Sequence, residues 1–292
     1  MAVKLALQEI RHDQTGFAEL VDLAAQVKSC FLEQIDIDMR STTWFDADMC
    51  AAFGAILYRL GHKLNIVRLL NIPGKVETIL SKNGFLSTYG RNPVSDTWGT
   101  TIPYHRFEIK DERFFASYIE RELVQRPEIP AMSPRLLKRF RESVFEVFSN
   151  AVIHSETELG IFSCGQFFPK GTRLVFSVAD LGIGIRDNVS RKTGCNLTPE
   201  QAIACAVEGR NTTKNGPIPG GLGLKLLREF IKLNQGTFVI ASDKGYWELR
   251  EGRVRTARLA NEFPGTVVTI EINTADTHSY ALSSEISPSD IF

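Results

Sequence analysis

The chain has 292 residues, a length that suits two domains better than one. Hydrophobic residues make up 43% and charged residues 23%, so apolar material for packed cores is ample and no disorder-prone composition is present. Basic and acidic side chains both number 34, a zero formal charge that points to no dominant nucleic-acid surface and gives no reason to expect nucleic acid as a partner, although it leaves room for a local basic patch.

No run approaches the ~18 uncharged apolar residues that span a bilayer, so no membrane partner is expected. The opening MAVKLALQEIRHDQ lacks an apolar run with a small-residue cleavage site. Cys30, Cys50, Cys164, Cys195 and Cys205 form no C-x-x-C pair and are odd in number. Reduced thiols in a cytoplasmic protein are the expectation, with no zinc site among the cysteines.

Along the first hundred residues, strand-like and helix-like runs alternate. Phe17 to Val27 has helical spacing, and Phe31 to Met39 alternates Ile35 and Ile37 with Asp36 and Asp38, as a strand does. Asp46 to Leu60 is a helix with Met49, Phe53, Ile56, Leu57 and Leu60 on one face. Asn65 to Leu70 is a short strand, and Pro73-Gly74 opens a helix that stops near Asn83-Gly84. Residues 91–100 are turn formers without periodicity and read as a linker, and a helix over about 112–124 follows.

Ser133-Pro134 starts a helix to about His154, with serine as cap and proline in the first turn. GIFSCGQFF and RLVFSVAD, joined at Pro169-Lys170-Gly171, form a hairpin. Residues 199–208 are helical, as is Gly221 to Leu233. TFVIAS, YWELRE, VRTARLA and TVVTIEI then read as four successive strands, and the last dozen residues as a frayed tail.

Three segments carry chemistry. Glu146, Asn150 and His154 stand four residues apart and share a helix face. An amide oxygen there suits a hard cation, and a carboxylate four residues away suits a water. Alone, the trio reads more readily as a solvated polar stripe. Asp180-Leu181-Gly182-Ile183-Gly184 follows a strand, so its carboxylate can accept from an exocyclic amine while the glycines admit a flat ligand. Alone, it is a common turn. Gly220-Gly221-Leu222-Gly223-Leu224 runs into a helix, whose N-terminal amides and dipole favour a phosphate. It is not a P-loop, since no G-x-x-x-x-G-K-[ST] is present.

In this order, the segments resemble the GHKL (histidine-kinase-like, Bergerat) ATPase domain over about residues 130–273. EVFSNAVIH looks like its N box, DLGIG its G1 box and GGLGL its G2 box. Arg210-Asn211-Thr212-Thr213-Lys214 resembles the run ahead of the last box in histidine kinases, and Gly265-Thr266 the final adenine-contacting motif. The resemblance implies that Asn150 ligates Mg²⁺ and that Glu146 is the general base or positions water. Asp180 would bind the adenine amine with Thr266, Gly182 and Gly184 would shape the adenine pocket, and Gly221, Gly223 and Leu224 would surround the phosphates. Thr213 and Lys214 or Lys225 would add contacts, and residues 186–219 would be a closing lid. His154 would orient Glu146 or, more simply, end the helix.

EVFSNAVIH is closest to the anti-sigma-factor serine kinases, although the hairpin-rich C-terminal half is longer than theirs. More faintly, IDIDMRSTTWFDADMCAAFGAIL and NIVRLL resemble the STAS domain of anti-sigma antagonists. That family's phosphorylated serine follows the loop aspartate. Here Asp46 is followed by Ala47 and Asp48, and Thr42 and Thr43 are out of place, so the phosphosite is absent. Asp48 either mimics a permanent charge or, more simply, complements a helix dipole.

The fold class expected is thus α/β (α+β): a STAS-like α/β domain over residues 1–100, a linker and bridging helix over 101–130, a GHKL sandwich over 131–275 and a flexible tail over 276–292. The sandwich would have a mixed, mainly antiparallel sheet with helices on one face. The function expected is a Mg-ATP-binding regulatory protein with slow hydrolysis, its lid switching a protein partner or a homodimer. Two alternatives are a serine/threonine kinase acting on a STAS-type substrate and a non-catalytic ATP-dependent interaction protein. Retention of Glu146 argues against the last. None of the five histidines lies in a two-helix hairpin with a following acid and proline, which argues against an in-chain histidine kinase.

Overall fold

In a computed structural model, residues 2–209 and 222–285 are described, apart from the side chains of His154 and Leu222. Thr213, Lys214 and Gly221, together with lid residues 210–219, lie outside the described residues.

The N-terminal unit alternates strand and helix: β1 (Ala2–Ala6), α1 (Gln14–Gln26), β2 (Gln34–Asp38), α2 (Cys50–His62), β3 (Ile66–Leu70) and α3 (Gly74–Lys82). The strands form a parallel sheet in the order β1-β2-β3. Asp13 caps α1, its carboxylate accepting from the Thr15 and Gly16 amides at 2.9 and 3.1 Å, which satisfies two of the free donors of a helix start. A 3₁₀ turn over Ala47–Met49 leads into α2. β1 is too short and too exposed to announce itself by period.

The rest comprises β4 (Thr101–Phe107), α4 (Glu112–Ile119), α5 (Pro134–His154), β5 (Ile161–Phe168), β6 (Arg173–Asp180), α6 (Gly184–Thr193), α7 (Pro199–Val207), α8 (Leu222–Leu233), β7 (Thr237–Arg250) and β8 (Arg253–Asn273). Five strands form one sheet in the order β4-β5-β6-β8-β7, and every ladder is antiparallel rather than mixed. Two expectations change here. Residues 101–107, read as part of a linker, form the edge strand β4, where Pro103 is tolerated because an edge leaves one side of the ladder unpaired. The four strands expected after α8 are two long ones. Register shifts between Ser242 and Gly245 bend β7, so its turn-like residues make a bulge and not a chain reversal.

Helices cover one face of the sheet, as expected. Phe140, Phe148, Leu227 and Phe230 bury themselves there against Leu174, Phe176, Phe238 and Ile270. The opposite face is covered too, by the N-terminal unit. Phe17 and Phe53 share a core with Phe162, Ala179, Ala241, Tyr246 and Phe263 of the sheet, with the Phe17 and Tyr246 rings 6.0 Å apart. Cys164 donates to the Ala47 and Asp48 carbonyls, and the Ala47 amide donates to Gln166 Oε1 at 2.7 Å. Burial on both faces explains why β5 and β6 lack a polar-apolar alternation.

Residues 276–285, expected to fray, are tied down. Asn234 donates to Asp276 at 3.0 Å, the Tyr280 amide donates to the Ala131 carbonyl at 2.8 Å, and Ser133 donates to Glu285 at 2.6 Å. Among the described residues, no helix is long and apolar enough to cross a membrane, and no cysteine is in a disulfide.

Because the sheet and the N-terminal unit share one core, they should unfold together. Phe17→Ala is expected to cost about 3–5 kcal/mol. In urea, circular dichroism and tryptophan fluorescence should report one coincident transition, and two separated transitions would contradict the shared core.

Candidate functional site

Helix α5 is the element against which the other motif segments gather. Its start is specified locally: Ser133 Oγ accepts from the Leu136 amide at 3.1 Å, and Pro134 occupies the first turn, where no amide is needed. Its apolar face, with Phe140, Val144, Val147, Phe148 and Ala151, is buried on the sheet. This leaves Glu146 and Asn150 half-buried. Asn150 lies one turn beyond Glu146, about 6 Å along the axis.

The first described turn of α8 meets α5 at Glu146. The Gly223 amide donates to Glu146 Oε2 at 3.0 Å. That amide is the group expected to face a phosphate, and here a carboxylate takes the anion's place at the helix N-terminus. Leu224, also expected beside the phosphates, packs its side chain into the core.

The other end of α5 meets the turn after β6. The Ile183 amide donates to the Ser155 carbonyl at 2.7 Å. Gly182 lies so close that a Cβ on it would stand 2.0 Å from that same oxygen, which is why this position takes no side chain. Asp180 Oδ1 accepts from the Gly182 amide at 2.8 Å.

Across the ladder, Asp180 pairs with Thr266 of β8, and Thr266 with Ser242 of β7. Ser242 Oγ donates to the Gly265 carbonyl at 3.0 Å, accepts from the Ile185 amide at 2.9 Å, and lies 3.0 Å from Thr266 Oγ1. Gly184 opens α6 against this serine. At Gly265, φ is +152°, and a Cβ would sit 2.1 Å from the Asp180 carbonyl oxygen, so the backbones meet directly.

Asp180 is 5% exposed. Burial pushes its carboxyl up to about 7, against the downward pull of the Gly182 and Thr266 amides. A buried carboxyl with a pKa near neutrality, at the end of a central strand, can hold or release a proton and can accept a hydrogen bond from a neutral N–H donor.

The structure therefore brings Asp180, Gly182, Gly184 and Thr266 into one cluster and Glu146 and Gly223 into contact, with Asn150 between them on α5. Sequence reasoning missed Ser155 and Ser242, which build the turn by hydrogen bonding. A serine after a helix end and another ending a strand are too common to stand out. Neither a protein-family model nor a curated protein matches the chain.

The Asp180 shift has a definite sign. Its folded value of about 7 is above the unfolded carboxyl, so ionisation penalises the fold above pH 7, and the penalty fades as pH falls through 7 towards 4. Relative to Asp180→Asn, the wild-type chain should gain about 2–3 kcal/mol on going from pH 8 to pH 5. Urea denaturation of both chains at the two pH values measures this, and equal pH dependence would refute it.

Proposed function

We propose that the chain is a Mg-ATP-binding regulatory protein of the GHKL type, in which slow hydrolysis resets a nucleotide-driven switch. The observation that carries this reading is that three sequence-distant segments meet along one helix. Gly223 contacts Glu146 near its middle, and the turn holding Asp180 is hydrogen-bonded to its end.

The residues suit the groups they would hold. Asp180 is a buried acceptor beside backbone that only glycine permits, which fits a flat base carrying an amine. Asn150 offers an amide oxygen of the kind magnesium accepts along with phosphate and water oxygens. Magnesium, when bound, would neutralise phosphate charge. The amides at the start of α8 would hold phosphate oxygens. Glu146 now accepts from Gly223, and handing that amide to a phosphate oxygen would release Oε2 to accept a proton from water.

The same strands suit a readout role. Residues of β6 and β8 form one side of the site at Asp180 and Thr266, and Ala179, Phe263 and Val267 of these strands pack against the N-terminal unit. A change at the strand ends thus meets the STAS-like half without an intervening linker. A protein partner or a second copy docked on that half would read the change.

Glu146→Ala should retain nucleotide affinity and abolish turnover. Incubation with γ-labelled ATP separates release of free phosphate from transfer to protein. Transfer to a STAS-type protein would favour the kinase alternative, and undiminished turnover would remove Glu146 as the base.

Asp180→Asn should weaken ADP and ATP at least tenfold. Since an amine donor binds the ionised carboxylate, affinity in the wild-type chain should rise between pH 6 and pH 8, through the Asp180 value of about 7. Calorimetry with ADP and magnesium checks both, and equal affinity in the variant would refute the pocket.

A further inference from the structure

A second group of chemistry-bearing residues lies away from this site, where the N-terminal unit meets the middle of the sheet. His12 precedes α1, and Asp46 and Asp48 precede α2. His12 Nδ1 stands 3.0 Å from Asp46 Oδ2 and 3.6 Å from Asp48 Oδ1. All three ligand atoms lie within 4.8 Å of one another. The three side chains are buried, that of Asp48 completely. Asp48, read as an acid that complements a helix dipole, stands in the turn leading into α2 with its side chain wholly buried.

Two of these atoms, His12 Nδ1 and Asp48 Oδ1, are buried and make no hydrogen bond of regular geometry among the described residues, their contacts being the ion-pair approaches at 3.0 and 3.6 Å. The two atoms lie 3.6 Å apart. Orphaned polar atoms facing one another are costly unless something between them satisfies both.

The remaining atoms of the three side chains are already held, and the ligand oxygen Asp46 Oδ2 also takes one backbone hydrogen bond. His12 Nε2 lies 2.9 Å from Glu271 Oε2. Asp46 Oδ1 accepts from Trp44 Nε1 at 2.8 Å, and its Oδ2 accepts from the His12 amide at 3.1 Å. Asp48 Oδ2 accepts from Ser177 Oγ at 3.2 Å. A metal-binding histidine characteristically gives its second ring nitrogen to a carboxylate, with ligand carboxylates braced in turn. Here each of the three side chains has such a brace.

We propose that His12 Nδ1, Asp46 Oδ2 and Asp48 Oδ1 bind one divalent transition-metal cation of the zinc class, which fastens the N-terminal unit to the sheet. Zinc bonds of about 2.0–2.1 Å in a tetrahedron set ligand atoms about 3.3 Å apart, between the two separations found here. The donor set of one imidazole and two carboxylates suits zinc, with a fourth position for water.

Charge favours the dication over a proton on the imidazole. Asp46, Asp48 and Glu271 bring three negative charges, and Arg173, 3.8 Å from Glu271, brings one positive. With all three carboxylates ionised, an imidazolium leaves one negative charge over, whereas neutral His12 with a dication balances the group.

The test uses the full chain, stripped with chelator and then titrated with Zn²⁺ against a chromophoric competitor. One equivalent should bind with micromolar or tighter affinity and raise the melting temperature. His12→Gln should lose the equivalent. Trp44→Phe, which keeps all three ligands, should weaken binding about 10–100-fold, so the test does not depend on a ligand variant that fails to fold. Asn150→Ala should bind Zn²⁺ as the wild type does, separating this site from the nucleotide site. Failure of the wild-type chain to take up Zn²⁺, equal binding by His12→Gln, or loss of the equivalent in Asn150→Ala would overturn the assignment.

Discussion

A five-stranded antiparallel sheet buried on both faces is the constraint from which the rest of this molecule follows. One face lies under α5 and α8, and the other under the N-terminal unit. Strands in that position have little solvated face on which to display polar groups, and buried polar groups need partners. Polar chemistry is therefore pushed to the strand ends or into paired clusters. β6 and β8 do both. At one end, Asp180 and Thr266 stand opposite each other beside the glycine turn. Further along, Ser177 and Thr269 share a hydrogen bond at 2.7 Å, and Glu271 reaches His12.

Helix α5 converts these strand ends into a concentrated site. It is anchored by its apolar stripe, so its polar face looks along the sheet towards the turn after β6 and the start of α8. Glu146 holds the Gly223 amide, and Ser155 holds Ile183. The site thus has one rigid spine with hydrogen-bonded attachments at two points. The charge in this arrangement is economical. Asp180 is poised near neutrality by burial, and Glu146 is engaged with a helix N-terminus. Such groups respond to a ligand because small changes in their surroundings shift a proton or a hydrogen bond.

The second cluster extends the same logic to the interface. His12, Asp46 and Asp48 come from loops that precede helices of the N-terminal unit, whereas Ser177 and Glu271 come from the sheet. A buried charge network across such a boundary ties relative position to a specific geometry more tightly than apolar packing does, because misplacing one member leaves the others unpaired. The N-terminal unit and the strands that carry Asp180 and Thr266 are accordingly one packed body on that face. A disturbance at either strand end has a direct path of contact to the helices α1 and α2.

The sequence by itself determined every helix with a strong stripe and a local start signal. α5 follows from Ser133, Pro134 and an apolar face, and α2 from its run of core residues, because capping and amphipathic period are local facts. It also determined the glycine turn after β6, since D-x-G-x-G at a strand end carries its own steric meaning. Only the tertiary structure decided the rest. β4 holds a proline that local rules count against a strand, and an edge position accommodates it. The bulge in β7 looks like a turn until its pairing with β8 continues on both sides of it. Covering both faces of the sheet requires knowing where α1 and α2 land. His12 meets Glu271 across 259 residues of chain, and nothing in the neighbourhood of either residue encodes that meeting. Local chemistry is written in adjacent residues, whereas burial and pairing depend on which distant surfaces exclude water together.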